Sequence, residues 1–179
     1  MIKQNSDINL ESYLLMRKLH KRLLGGHVSR YHTRPEVGNN QDVASHSWRA
    51  LVILTTLWPD ISKEAILWVI YHDVAEAELG DLPATTKWNY PEIATLYKKA
   101  EKEYEKRLDL PLNENLTKSD QRKIKISDML ELVFHCKRQT QMGNTLALPI
   151  YLRGIDYLKD NFEKFPEYEV VESLLNELC

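Results

Sequence analysis

The feature that most constrains this chain is an apolar stretch, residues 62–80, that also contains acidic and imidazole side chains. Its apolar residues recur at the spacing of one helix, which predicts a buried helix. In that helix His72 and Asp73 are adjacent, and Glu76 lies one turn after His72 on the same face. Unpaired ionisable groups are costly inside a protein core. The simplest explanation for this cluster is that it binds a cation.

The composition excludes several classes of protein. A chain of 179 residues that is 43% hydrophobic is long enough for one globular domain, residues 1–179, with a substantial core. A net charge of −2 and the lack of a long basic run argue against binding to a nucleic-acid polymer. No apolar run reaches membrane-spanning length and no signal peptide is visible, so we expect no membrane partner. The lone cysteines Cys136 and Cys179 suit a reducing cytoplasm.

The periodicity of apolar residues predicts an all-α fold. No stretch alternates between apolar and polar residues over the length of a strand. Start and stop signals include the capping residues Asp42, Ser62 and Ser119, Pro91 in a first turn, and Gly80 in a left-handed final turn. The predicted helices cover approximately residues 7–24, 43–57, 62–80, 91–108, 119–139, 145–161 and 166–178. Residues 27–41 and 81–88 are predicted to be irregular loops.

Two further residues with metal-binding side chains lie on apolar helix faces, His46 in the second helix and Asp128 in the fifth. Each alone is more simply explained as a core residue with a hydrogen-bonding or ionic partner. Together with His72 and Asp73, they give three helices that each present a metal ligand, as in helical cation sites. Two imidazoles and two carboxylates leave open positions on an octahedral ion, which suits Mn, Co, Fe or Mg better than a closed structural zinc.

Four sequence blocks resemble those of the HD-domain metal-dependent phosphohydrolases. His46, the His72-Asp73 pair and Asp128 follow the order of the HD signature, and longer blocks occur in register with it. These blocks are residues 30–33, 43–48, 72–76 and 80–87. As a set, over about residues 10–160, they are similar to the compact branch that contains bacterial 5′-deoxynucleotidases and phage-encoded dATP triphosphohydrolases. The resemblance implies a compact helical bundle with a metal site between its central helices.

The resemblance also implies a role for each matching residue. A divalent metal, one of Co, Mn, Zn, Fe or Mg, would be held by His46, His72, Asp73 and Asp128. The substrate would be bound by Arg30, Tyr31, Thr33 and Lys87, with the Tyr31 ring against the deoxyribose and the two cations on phosphate oxygens. Catalysis would involve Glu76, which handles the attacking water, and Asp81, which binds the sugar or orders its loop. Plainer alternatives stay open, namely a solvated carboxylate for Glu76, surface cations for Arg30 and Lys87, and a simple loop aromatic for Tyr31.

The chain departs from the family pattern at two positions. Ser45 stands where the family usually has Glu before the first His, so a supporting role of that Glu is lost or moved. Tyr31 stands where Trp is common, so an aromatic ring is kept but the shape of the sugar pocket changes.

The expected reaction is metal-dependent hydrolysis of a 2′-deoxynucleotide, with dATP split into deoxyadenosine and triphosphate. A 5′-deoxynucleotidase that releases phosphate from deoxynucleoside monophosphates is the alternative, because both reactions involve attack at the α-phosphorus. They differ in the positive charge beyond that phosphorus, for which Arg34, Lys21 and Arg22 are candidates. A hydrolase of another nucleotide, such as guanosine tetraphosphate, and a catalytically silent nucleotide sensor are less favoured. The resemblance further implies a homo-oligomer, a dimer or a hexamer, in the cytoplasm (of the host, if the chain is phage-encoded).

Overall fold

The computed structural model describes residues 9–38 and 40–178, and in this part of the chain it shows α-helices joined by turns and loops, and no strand. Ser29 and Asp42 form an isolated β-bridge. The α-helices are α1 Leu10–Gly25, α2 Val43–Leu57, α3 Lys63–Tyr71, α4 Glu76–Leu79, α5 Ala84–Asn89, α6 Pro91–Arg107, α7 Lys118–Gln141, α8 Leu148–Phe162 and α9 Glu169–Leu178. The all-α class is therefore confirmed. None of the helices seen in these residues has the length and apolarity needed to cross a membrane.

Local capping chemistry explains where four of the described helices begin. The Asp42 side chain accepts a hydrogen bond from the Ser45 amide at the start of α2, and Ser62 does the same for α3. The cap of α7 was predicted at Ser119, but Thr117 fills that position by accepting from the Asp120 amide. The predicted helix start at residue 7 lies outside the described residues, and α1 is capped by Asn9.

The prediction of one continuous helix over residues 62–80 is wrong in its second half. The helix α3 ends at Tyr71, and a tight turn leads to α4 at Glu76. The His72 Nδ1 donates to the Val69 carbonyl oxygen at 2.8 Å, an acceptor that the Asp73 amide would use in a continuing helix. The His72-Asp73 pair therefore lies in the turn between α3 and α4. Gly80 has the predicted positive φ of 78°, but its ψ of 152° is extended instead of left-handed helical.

Two further predictions are wrong in detail. The loop at residues 81–88 was predicted to be irregular, but it contains α5, whose first turn uses the Pro83 carbonyl as acceptor for the Thr86 and Lys87 amides. Proline before a first turn already has a helix-compatible φ, which favours this short helix. The helical spacing of apolar residues in 91–108 predicts that Ile93 and Tyr104 lie on the inner face of α6, but Ile93 is 42% exposed, whereas Tyr104 near the other end is buried.

The hydrophobic core lies where α7 packs against α2, α3 and α8. Its most enclosed side chains include Leu54, Ile126, Leu130 and Leu158. A second, smaller cluster joins the turn after α3 to α6 and its C-terminal end, through Val74, Ala75, Tyr104, Leu108 and Leu110. The His72-Asp73 turn thus lies between the two clusters, with Val69 packed in the first and Val74 in the second.

Gly25, the last residue of α1, sets how closely that helix approaches the His72-Asp73 turn. A Cβ atom at this position would lie 2.7 Å from the Cα of Val74. Backbone atoms cannot move away cheaply, so we expect Gly25→Ala to lower the free energy of unfolding by about 1–3 kcal/mol, the usual cost of overpacking. Urea denaturation measures this. The control is Gly26→Ala, whose Cβ atom would lie 3.2 Å from the Ala44 Cβ atom and 3.5 Å from the Leu23 carbonyl oxygen, with no contact below 3.0 Å among the described residues. Equal stability of the two variants would contradict the prediction.

Candidate active site

Three of the four predicted metal ligands converge where α2, the turn after α3 and α7 meet. The ligand atoms of His46, His72 and Asp128 all lie within 4.8 Å of one another. The His46 Nε2 atom is 3.2 Å from the Asp128 Oδ1 atom. Ligand atoms that each lie about 2.0–2.2 Å from one ion are separated by distances of this size. The group can therefore hold a divalent metal.

Asp73, the fourth predicted ligand, lies at the edge of this group. Its Oδ2 atom is 3.2 Å from the His72 Nε2 atom and 4.0 Å from the His46 Nε2 atom. The same oxygen accepts a hydrogen bond from the Arg30 Nη1 atom at 2.7 Å. Asp73 thus connects the two imidazoles to Arg30, whose guanidinium was predicted to bind a phosphate oxygen.

The hydrogen bonds of the two imidazoles fit a metal at their Nε2 atoms. The Nδ1 atom of His72 faces a backbone carbonyl oxygen, and that of His46 is 2.7 Å from the Glu131 Oε2 atom. These acceptors place a proton on Nδ1 and leave the Nε2 lone pair free in a neutral ring. The His46 ring is fully buried, yet its Nε2 has no hydrogen-bonding partner among the residues that the structure describes. A buried polar atom without a partner costs about 1–3 kcal/mol, and a cation would satisfy it.

The charges of this group shift the pKa values of its members. Burial lowers the pKa of His72, but the adjacent Asp73 carboxylate outweighs burial and raises it to about 9, so the Nε2 atom of His72 must lose its proton when a metal binds. Burial also opposes ionisation of Asp73 and Asp128, yet nearby cations hold both carboxyl pKa values well below their usual range: mainly His72 and Arg30 for Asp73, and mainly Lys125 for Asp128. Both carboxyl groups are therefore ionised at neutral pH, which is the form that binds a cation.

Glu76 differs from these carboxylates because its protonated form is favoured. It is 8% exposed at the start of α4, and within residues 9–38 and 40–178 its Oε2 atom has no hydrogen-bonding partner. Burial, together with the negative charges of Asp73 and Asp81, raises the pKa of Glu76 to about 8. A carboxyl group with a pKa near neutrality can both accept and return a proton during a reaction.

The residues that were predicted to bind the substrate differ in how far they are buried. Arg30 pairs with Asp73 and is mostly buried, with its Nε atom unpartnered. Tyr31 has a left-handed φ of 54°, and its ring stacks on that of His135 at 5.1 Å. Thr33 and Lys87 are exposed, and the Lys87 charge lowers the pKa of Glu76. Asp81 lies 3.5 Å from the Nδ1 of His32, so it contacts the loop that carries Arg30 and Tyr31.

Of the three cations considered for a longer phosphate chain, two have other partners. Lys21 is 3.7 Å from Glu78 and lies over the Tyr104 ring, and Arg22 donates to the Leu108 carbonyl oxygen at 2.5 Å. Both side chains therefore attach α1 to α4 and α6. The third, Arg34, is exposed in the loop beyond Tyr31.

The sequence analysis missed Glu131, which is 1% exposed and provides the carboxylate partner of His46. It lies on α7, so this partner comes from a different helix than the family position occupied by Ser45. A signal for it was present, because Glu131 is an acidic residue on an apolar helix face, the same criterion that selected Asp128 three residues earlier. Lys125, which donates to the Asp128 Oδ2 atom at 2.8 Å, was also missed.

The loop that carries Arg30 and Tyr31 is fixed by the C-terminal half of α7. The Gln139 amide bonds both backbone groups of Val37, accepting from the amide at 2.8 Å and donating to the carbonyl at 3.2 Å. Just beyond the helix, Asn144 donates to the Pro35 carbonyl oxygen at 3.0 Å. Between them, Glu36 pairs with His135, the residue on which Tyr31 stacks. The helix that provides Asp128 therefore also holds the loop.

Comparison with solved structures agrees with this fold. The solved structure of the cyanophage S-2L HD phosphohydrolase (DatZ), bound to dA and one catalytic Zn²⁺ ion, has a TM-score of 0.69 and 18% identity, covering 88% of this chain and 94% of that one. The PH0347 protein from Pyrococcus horikoshii OT3 has a TM-score of 0.67 and 17% identity, covering 90% and 96%. At these identities the similarity shows the fold. No curated protein matches the chain.

The family model is the stronger result, because it compares the sequence itself. Residues 27–170 match the model described as 5′-deoxynucleotidase YfbR-like, and this range includes every predicted site residue. The match covers well over half of the chain. The chain therefore belongs to the YfbR-like 5′-deoxynucleotidase family, and its fold is similar to that of an HD phosphohydrolase.

Proposed function

We propose that this protein hydrolyses 2′-deoxynucleotides between the α-phosphorus and O5′, in a metal-dependent reaction. The observation that carries the proposal is the convergence of the His46, His72 and Asp128 ligand atoms near Glu76, a buried carboxyl group whose pKa is raised to about 8. A cation site beside a proton acceptor is what hydrolytic attack on a phosphate requires. Membership of the 5′-deoxynucleotidase family supports the substrate class.

His46, His72 and Asp128 would hold the metal, with Asp73 as a further ligand from the edge of the group. The open mixture of imidazole and carboxylate donors suits Co, Mn, Fe, Mg or a catalytic Zn, and DatZ, a similar fold, has a zinc ion. Such an ion supplies Lewis acidity, which makes water more acidic and polarises a phosphoryl oxygen.

Glu76 would accept the proton of the attacking water. Its buried Oε2 atom has no partner in the described part of the chain, which leaves it available to bond that water. The raised pKa makes Glu76 a stronger base than an ordinary glutamate, and it can later give the proton to the leaving O5′ atom. Asp81, by its contact with His32, would order the loop that closes over the sugar.

Arg30 and Lys87 would bind the phosphate oxygens. Arg30 uses its Nη1 atom for Asp73 but keeps a buried, unpartnered Nε–H group for a phosphate. A guanidinium fixed in this way neutralises the charge that develops at phosphorus. Tyr31, held in a left-handed backbone conformation against His135, would present its ring to the deoxyribose, with Thr33 in the same loop. A ring at that place would leave no room for a 2′-hydroxyl group.

The leaving group distinguishes two candidate activities. A 5′-deoxynucleotidase acting on deoxynucleoside monophosphates is favoured because Lys21 and Arg22, two of the three cations available for a longer phosphate chain, are engaged by α4 and α6. The family match supports the same choice. A dATP triphosphohydrolase is the second candidate, because Arg34 and Lys87 are exposed near the loop and DatZ has dA in its solved structure.

A nucleotide panel tests the substrate. With added Mn²⁺ or Co²⁺, we expect dAMP to yield deoxyadenosine and phosphate, and AMP to react much more slowly because its 2′-hydroxyl group meets the Tyr31 ring. Chromatography of the products and a phosphate assay measure both rates, with a chelator as the negative control. Equal rates on AMP and dAMP would contradict the role of Tyr31.

The same panel decides between the candidates. Deoxyadenosine and intact triphosphate from dATP, without reaction of dAMP, would establish the triphosphohydrolase instead. Arg34→Ala and Lys87→Ala then serve as paired variants. A residue that binds phosphates beyond the α-phosphate affects only dATP when it is removed, whereas one that binds the α-phosphate affects both substrates equally.

A further inference from the structure

Glu131 is an acidic residue enclosed in the core, and both of its carboxylate oxygens have partners. It is 1% exposed on α7. Its Oε2 atom is 2.7 Å from the His46 Nδ1 atom, and its Oε1 atom accepts from the Gln41 Nε2 atom at 2.7 Å. The guanidinium of Arg49 is 3.8 Å from the same Oε1 atom. A buried carboxylate with this many contacts has one orientation available.

The hydrogen bonds that run from Gln41 through Glu131 to His46 fix which atom donates and which accepts in each side chain. Gln41 is 5% exposed, and its Oε1 atom has no hydrogen-bonding partner among the described residues, so its amide donates inward to Glu131 while its own acceptor stays unused there. Glu131 in turn offers His46 only an acceptor, and the Nδ1 atom must therefore carry the proton. The remaining ring nitrogen, Nε2, is the one that faces Asp128.

We propose that Glu131 is a positioning residue that fixes the tautomer and orientation of His46, so that the Nε2 lone pair is available to a metal. Gln41 holds Glu131 in place for this role. The inference rests on the proposed metal-dependent function and adds a residue to it. A carboxylate on the far nitrogen of a metal-binding imidazole also raises the basicity of that ligand, and its loss commonly weakens metal binding about 10–100-fold.

The test compares Glu131→Gln with the wild type in two measurements. Titration with Zn²⁺ against a competing chelator should show a 10–100-fold weaker affinity in the variant. In the metal-free protein, ¹⁵N NMR of the histidine rings at alkaline pH should show His46 as the Nδ1–H tautomer in the wild type and as a mixture in the variant. The control is Asp120→Asn, which changes another buried carboxylate of α7, bonded to Ser62, and should leave both results unchanged.

Two outcomes would overturn the inference. One is wild-type affinity in Glu131→Gln, and the other is a weaker affinity with an unchanged His46 tautomer, because Glu131 would then act only through general stability. Gln41→Leu provides a second variant if Glu131→Gln does not fold, and a smaller shift in the same direction is expected from it. If the wild type itself bound no divalent metal, the proposed function would fail, and the tautomer measurement would still decide the assignment of Glu131.

Discussion

Asp128→Ala is expected to remove most of the metal from the purified protein and to abolish hydrolysis. Asp128 is the only carboxylate in the group whose ligand atoms lie within 4.8 Å of one another. Since losing a mere supporting partner commonly weakens a metal site by about 10-fold or more, loss of a direct ligand should cost at least that much. Elemental analysis after dialysis measures the metal content, and His72→Ala should give a similar result.

The control for this experiment is Asp156→Ala, which removes an exposed carboxylate from α8. It should keep the wild-type metal content and activity. A fully loaded Asp128→Ala protein would remove Asp128 from the ligand set and require a different site. Circular dichroism of both variants verifies that the helices are intact, so that a loss of metal is not a loss of fold.

Glu76→Ala is expected to retain metal and substrate binding but to lose about 10²-fold or more in kcat, the usual effect of removing a general acid–base group. Glu76 is buried near the metal-binding group without being part of it. Steady-state kinetics and elemental analysis of the same preparation measure the two properties separately. Glu78→Ala is the matched control, because it removes an exposed carboxylate two residues further along α4. A near-normal kcat in metal-loaded Glu76→Ala would exclude Glu76 from the mechanism.

The raised pKa of Glu76 gives this residue a second, independent readout. Its pKa moves from an ordinary value of 4.5 to about 8 in the folded chain, because burial and the Asp73 and Asp81 charges oppose ionisation. The folded state therefore prefers the protonated form, and this stabilisation is lost as the pH rises from 4.5 through 8. Metal-free wild type should lose stability over that range relative to Glu76→Gln in thermal unfolding. Parallel pH profiles of the two proteins would contradict the assigned pKa.

The fold was predictable wherever the signals were local. The caps Asp42 and Ser62 act within three residues of themselves, and both helix starts were predicted correctly. The break after Tyr71 was not predictable, because it depends on a side-chain bond from His72 to the Val69 carbonyl that competes with the backbone. Apolar spacing continues through the break, so periodicity alone predicts one helix.

The candidate site was also predictable only where its signals were local in the sequence. His46 and Asp128 are polar residues on apolar helix faces, a pattern visible in one sequence, and the structure places their ligand atoms 3.2 Å apart. The partners of Lys21 and Arg22 lie on α4 and at the end of α6, far away in the sequence. The sequence therefore does not distinguish a side chain that is available to bind phosphate from one that is already paired within the fold. The length of the phosphate chain depends on such distant pairings, which explains why the sequence left it open.

The helix α7 also fixes the distance and the relative orientation between two parts of the site. Asp128 belongs to the metal-binding group, and Gln139, eleven residues later, accepts a hydrogen bond from the Val37 amide and so holds the loop. At 1.5 Å per residue the two positions are about 16 Å apart along one rigid rod. Inserting or deleting a single residue between them would turn one end by about 100° relative to the other. Natural variants of this chain should therefore tolerate substitutions in this segment far more readily than changes in its length.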